Sequence, residues 1–207
     1  LLLGGVPAAG TAWRGRRVAA AADGAAVTDV FRTPPECAVV HSSGWARVGS
    51  VEVTRIPLVD ARVFDGQPWL TFARLSHNDL EQVAARVGAR LVSMATLRAC
   101  WEIGLRLKPV QLVRTKQDTE EMRGKAFCDR HDSAVWAQLG AAGWEGGQVV
   151  ANIGKNWLRE ARAGRARNGG WFNALGVPVQ PGGPGSEHHD RDYTDYSQIG
   201  TLERDAP

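Results

Sequence analysis

His189, Asp195 and Lys155 are the side chains of this 207-residue chain best suited to proton transfer and charge stabilisation. A histidine held by a carboxylate serves as general base or acid because imidazole titrates near neutrality. His189 is read in that role, Asp195 as its orienting carboxylate or a second acid–base group, and Lys155 as the cation facing developing negative charge. Around them in sequence stand Asn152, Trp157, Asn168, Trp171, Gln180, Tyr196 and Gln198. The aromatic rings suit the walls of a substrate groove, and the amides suit the hydroxyls or amides of a polar polymer. Asp195 and Ser197 are two apart, so on a strand they share one face and leave Tyr196 and Gln198 on the other.

Other chemistries are less well supplied. His188 and Asp195 are seven residues apart, a spacing that some zinc peptidases use for two ligands, but zinc needs at least a third. No HExxH or CxxC pattern provides one. The reading therefore needs no cofactor, and His188 and Asp195 are the candidate ligands if zinc is bound. Gly154-Lys155 has the look of a shortened phosphate loop, yet Asn156 occupies the Ser/Thr position and the upstream glycine is missing, which excludes a P-loop. Cys128 precedes Asp129 and His131, a conceivable thiol–imidazole pair, while Cys100 reads as a small core hydrophobe.

The elements that must position these groups follow from the period of the apolar residues. Short β-like runs are expected at Ala38–His41, Ala46–Arg55 and Arg62–Phe64, the last joined by Asp65-Gly66 to Trp69–Ala73. Ser76, three before Asp79, is a helix start, with Leu80, Val83, Ala84 and Val87 at helical spacing until Gly88. A second helix starts near Ser93 and runs through Met94, Leu97, Trp101 and Leu105 to Pro109; Asp132 is the expected cap of a third. Strands return at Gln148–Ile153, Gly170–Phe172, Val177–Gln180 and Tyr196–Leu202. The pattern predicts an α+β fold, with helices packed on one face of a mainly antiparallel sheet. Residues 1–34 read as a poorly ordered lead-in or signal-peptide remnant and 35–207 as a single domain.

Of the eight tryptophans, Trp101 and Trp136 fall on apolar helix faces and are expected in the core. Trp45, Trp144, Trp157 and Trp171 lie beside glycines and are expected at surfaces or clefts. An apolar fraction of 43%, a charged fraction of 23% and a net charge of +3 are those of an ordinary globular domain. The basic patches are too short for a nucleic-acid interface, and no stretch is long and apolar enough to span a membrane. The opening Leu-Leu-Leu-Gly-Gly-Val-Pro-Ala-Ala-Gly reads as the tail of a signal peptide, so a secreted or periplasmic location is expected. One disulfide among Cys37, Cys100 and Cys128 would fit export, and three thiols would fit the cytosol.

From about Leu70 to Arg204 the chain resembles a family of phage-associated and bacterial proteins with GK-W, NYGW, QP and H…VDYSQ motifs. The matching residues are Gly154-Lys155 with Trp157, Asn168-Gly-Gly-Trp171, Gln180-Pro181, His189 and Asp195-Tyr-Ser-Gln198, with Gly169 replacing the tyrosine. The resemblance implies cell-wall or polysaccharide chemistry through the phage association. The expectation is an exported hydrolase acting on peptidoglycan or another glycan by His/Asp acid–base chemistry. The alternatives are a non-catalytic carbohydrate- or cell-wall-binding domain and a phage or secreted structural component.

Overall fold

A computed structural model describes residues 30–62, 71–113, 120–161, 164–178, 187 and 189–207. Residues 1–29 of the expected lead-in, the Asp65-Gly66 hairpin, Gln180 and His188 lie outside the described residues; the rest of the lead-in joins the fold, with the Phe31 and Thr33 amides donating to the Arg123 and Arg74 carbonyls. The fold is α+β. The strands are β1 (Ala38–Val39), β2 (Trp45–Val48), β3 (Val51–Thr54), β4 (Val59–Asp60), β5 (Arg90–Leu91), β6 (Leu105–Arg106), β7 (Val150–Ala151), β8 (Lys155–Trp157), β9 (Asn168–Gly169), β10 (Gln198–Ile199) and β11 (Leu202–Asp205). The helices are α1 (His77–Arg86), α2 (Met94–Ile103) and α3 (Lys125–Ala141).

Among the described residues these strands form four small ladders rather than one continuous sheet. The largest is antiparallel in the order β2-β3-β11-β5, so the late strand β11 is enclosed by two earlier ones. The expected run 46–55 is in fact a hairpin, turned at Gly49, which adopts a φ of 62° that a side chain disfavours. A second ladder has the order β10-β8-β9, with β10 parallel and β9 antiparallel to β8. The pairs β1–β4 (antiparallel) and β6–β7 (parallel) complete the set.

Ser76 caps α1 through a reciprocal capping box with Asp79, an arrangement that contributes about 1 kcal/mol. Ser93 caps α2, and the buried Glu203 of β11 also accepts from the Ser93 amide at 3.1 Å and the Thr96 hydroxyl at 2.5 Å. This carboxylate sits where the α2 dipole is positive. α2 stops at Gly104, well before Pro109. A Cβ there would lie 2.6 Å from both the Cys100 and Val149 carbonyl oxygens, so the turn requires glycine. The third helix starts earlier than expected. Asp132 lies inside α3, not at its start, because its carboxylate is used across the core: it accepts from the Phe72 amide at 3.0 Å and the Arg74 guanidinium at 2.5 Å.

Apolar packing places β8 and β10 at the centre. Trp157 of β8 packs with Leu75, Leu80, Val83 and Leu202, while Ile199 of β10 joins Ile153, Val135 and Leu139 beneath α3. The adjoining Leu158 joins Val53, Leu97 and Phe172 under α2. The expectation for the tryptophans is reversed at Trp157 and Trp171, while Trp45 and Trp144 are partly exposed. Trp157 is fully buried and Trp171 nearly so, whereas Trp101 and Trp136 are only half-buried. A residue on a short central strand is covered on both faces, while a helix at the rim shields one side of its indole. The Trp157 indole N–H donates to the Leu75 carbonyl at 2.9 Å, so the ring is a core residue with its one polar group satisfied.

Candidate functional site

β8 and β10 run parallel with Lys155 directly beside Gln198, so these two side chains leave the same face of the ladder. The pairing is tight because residue 154 is glycine: a Cβ there would meet the Ser197 carbonyl oxygen at 2.7 Å. The Lys155 amide donates to that same carbonyl at 2.8 Å. From this register the Lys155 ammonium reaches 3.5 Å from Asp195 Oδ2 and lies 5.8 Å from the centroid of the Trp171 ring.

Asp195 is fully occupied. Its Oδ1 accepts from the Ser197 hydroxyl at 2.7 Å, the Ser197 amide at 2.7 Å and the Gln198 amide at 3.1 Å. Its Oδ2 accepts from the Tyr193 hydroxyl at 3.1 Å. Burial alone raises a carboxyl pKa. Here the Lys155 charge and the donors from Ser197 and Tyr193 outweigh it and hold the group below its ordinary 3.8. Burial and the Asp195 charge push the Tyr193 phenol far up, so the phenol stays protonated and is the donor of that bond. The His189 ring stacks on Tyr193 with centroids 3.9 Å apart and an interplanar angle of 8°, and meets Trp157 edge-on at 6.3 Å. His189 therefore lies against the Tyr193 ring, whose hydroxyl is bound to Asp195.

The remaining candidates divide between this place and the scaffold. Trp171 is 5% exposed beneath Lys155, and its indole N–H has no partner among the described residues. Gln198 is fully buried with neither amide atom hydrogen-bonded among the described residues. Asn152 is turned into the fold: its Nδ2 donates to the Leu107 and Phe172 carbonyls and its Oδ1 accepts from the Phe172 amide, all at 2.9 Å. Its φ of 68° is one that asparagine tolerates better than most residues. Asn168 is buried in β9 opposite Trp157. Tyr196 points away from Lys155, packing on Phe127 and His131 while its hydroxyl accepts from the Leu112 amide at 3.1 Å. Tyr193 was not among the sequence candidates. Its signal was its place two before Asp195, which on an extended segment points both side chains the same way.

A second histidine–carboxylate–cation set lies under α3. Arg74, fully buried, pairs with Asp132, and His131 Nδ1 lies 3.0 Å from Asp132 Oδ1 and 3.3 Å from Arg74 Nη2. His131 Nε2 donates to the Ile153 carbonyl at 2.9 Å. Burial lowers the His131 pKa, with Asp132 opposing. Burial pushes the Cys100 thiol up to about 12 and the Cys128 thiol up to about 11, which makes these two inert, and Cys37, Cys100 and Cys128 are all free of disulfides. Among the described residues no three His, Cys, Asp or Glu side chains gather as a metal site, and no helix is long and apolar enough to cross a membrane.

No protein-family model matches the chain, and comparisons with curated proteins and with solved structures find no significant match.

Proposed function

We propose that this domain binds a polar polymer, a glycan of the cell wall or another polysaccharide, at the Lys155–Trp171–Gln198 face without cleaving it. The observation that carries the reading is the state of Asp195. A carboxylate that accepts four hydrogen bonds, faces an ammonium and is held below its ordinary pKa does not exchange protons near neutrality. It anchors the loop and fixes Lys155. The adjacent Trp171 indole and Gln198 amide, with polar atoms unspent, are groups that recognise sugars.

Hydrolysis of the same polymer keeps one supporting observation: His189 stacks on the Tyr193 ring whose hydroxyl donates to Asp195, which places an imidazole beside the carboxylate. In that reading His189 is the acid–base group, Asp195 orients it through Tyr193, and Lys155 stabilises developing negative charge.

Equilibrium binding to a panel of insoluble wall preparations and soluble polysaccharides, paired with a reducing-end assay, separates the two. Binding is expected, with Lys155→Ala weakening it about tenfold, close to 1.4 kcal/mol, and His189→Ala leaving it within about twofold. Release of reducing ends that His189→Ala abolishes would overturn the binding reading in favour of hydrolysis. Retention of none of the polymers overturns both.

A further inference from the structure

We infer that the protein holds one ordered water molecule in a cavity behind the β8–β10 ladder, hydrogen-bonded between Asn156 Nδ2 and Thr201 Oγ1. The strand register places the cavity. Lys155 and Gln198 are partners on one face of the ladder, and their successors Asn156 and Ile199, also partners, leave the opposite face. Asn156 and Ile199 form one wall, Leu97 and Cys100 of α2 another, and Gly170 and Thr201 complete the lining on the polar side. The cavity measures about 20 Å³. A single water needs roughly 10–15 Å³ of such space, so this one takes a water and no organic ligand.

The polar groups on the wall make the cavity wet rather than dry. Gly170 keeps it open beside Asn156, because a Cβ at that position would lie 3.1 Å from both Asn156 Nδ2 and Leu97 Cδ1. The Asn156 carboxamide is half used. Its Oδ1 accepts from the Thr201 amide at 3.0 Å, while its Nδ2 donates to no partner among the described residues. The Thr201 hydroxyl has no partner among them either, and the two residues are only 5% and 7% exposed. The amide bond holds them against each other, so a molecule in so small a space reaches both. Apolar cavities stay empty, whereas buried polar groups without an internal partner are completed by ordered water. A water oxygen accepts from Nδ2, and its hydrogen donates to the Thr201 hydroxyl. Such a bridge ties β8 to the turn after β10 directly behind Lys155. It therefore braces the register that presents Lys155, whatever that face binds.

Water-selective NOESY and ROESY spectra of the ¹⁵N-labelled protein test this, together with oxygen-17 relaxation dispersion of wild type and Thr201→Val. The paired spectra distinguish a dipolar contact from proton exchange. A dipolar cross-peak between long-lived water and the Asn156 side-chain amide is expected. Oxygen-17 dispersion counts water held inside the protein, and its amplitude should fall by one molecule in Thr201→Val but persist in Thr201→Ser, which keeps the hydroxyl. Thr201→Val also separates the wet cavity from a dry one by the sign of its effect on stability. With water in place the variant loses a hydrogen bond and should melt about 2–4 °C below wild type. In a dry cavity the hydroxyl is an unmatched polar group, and a methyl in its place leaves the melting temperature unchanged or raises it. Absence of the Asn156–water contact, an equal dispersion amplitude in Thr201→Val, or a melting temperature at or above wild type would each overturn the inference.

Discussion

Two regions of this protein hold the same ingredients, a histidine, an aspartate and a cation, and use them oppositely. Under α3, Arg74, Asp132 and His131 are sealed from water and spend their groups on each other and on the backbone of Phe72 and Ile153; Arg74 Nε alone of that set lacks a partner. Beside β8, Lys155 and His189 remain partly exposed, and Gln198 and Trp171 keep three polar atoms unpaired among the described residues. Residue types alone do not separate a structural network from a binding face. What separates them is whether the donors and acceptors are already matched.

The sharpest way to break the contrast is to remove the carboxylate from the sealed set. Asp132→Ala leaves a fully buried guanidinium without its counter-ion and strips an acceptor from the Phe72 amide, so a loss of about 3–5 kcal/mol is expected in urea unfolding. A loss below 1 kcal/mol would mean that the network is not structural.

Asp195→Asn should cost less, about 2 kcal/mol, because Lys155 can turn toward water. Its diagnostic is pH. The folded Asp195 titrates below 3.8, so its contribution is complete above that value and is lost as pH falls through the folded pKa. Glu203 is likewise held below its ordinary 4.5, where the Thr96, Ser93, Arg90 and Arg159 donors outweigh its burial. Wild type should therefore lose stability in acid below about pH 4. The loss should be smaller in Asp195→Asn, as measured by thermal melts from pH 5 to pH 2.

The smallest effect is expected at His77, a buried ring packed edge-on to Trp157 and facing Glu81 and Arg191. Burial lowers its pKa and Arg191 adds to this, with Glu81 and the Leu158 backbone opposing. A histidine whose folded pKa lies below 6.5 favours the folded state above that value and loses this contribution as pH falls. His131 acts in the same direction. His77→Phe should flatten, without abolishing, the decline in melting temperature between pH 7 and pH 5; an unchanged slope would assign the decline to His131 and His41, whose pKa values burial also lowers.

Local signals were legible before the fold was known, and long-range ones were not. Ser76 with Asp79, and Ser93 ahead of its apolar stripe, announced two helix starts because a cap is satisfied within three residues. Asp132 misled by the same logic: it has the residue type of a cap, but its partners Arg74 and Phe72 lie about 60 positions away. The site shows the same limit. Lys155 and Asp195 were identifiable as a cation and a carboxylate near aromatic residues. That Tyr196 faces α3 while Tyr193 takes the shared position depends on how the loop before β10 is held by Ser197, which no spacing rule contains. Asn152 looked like a ligand-binding amide and is a backbone clamp instead.

The position of β11 between β3 and β5 sets an order of events during synthesis. A nascent chain halted before Leu202 holds two strands that share a missing middle partner, and α2 lacks the Glu203 carboxylate at its positive end. Such an intermediate displays open strand edges to its neighbours, so termination before Leu202 should yield aggregates rather than a folded domain.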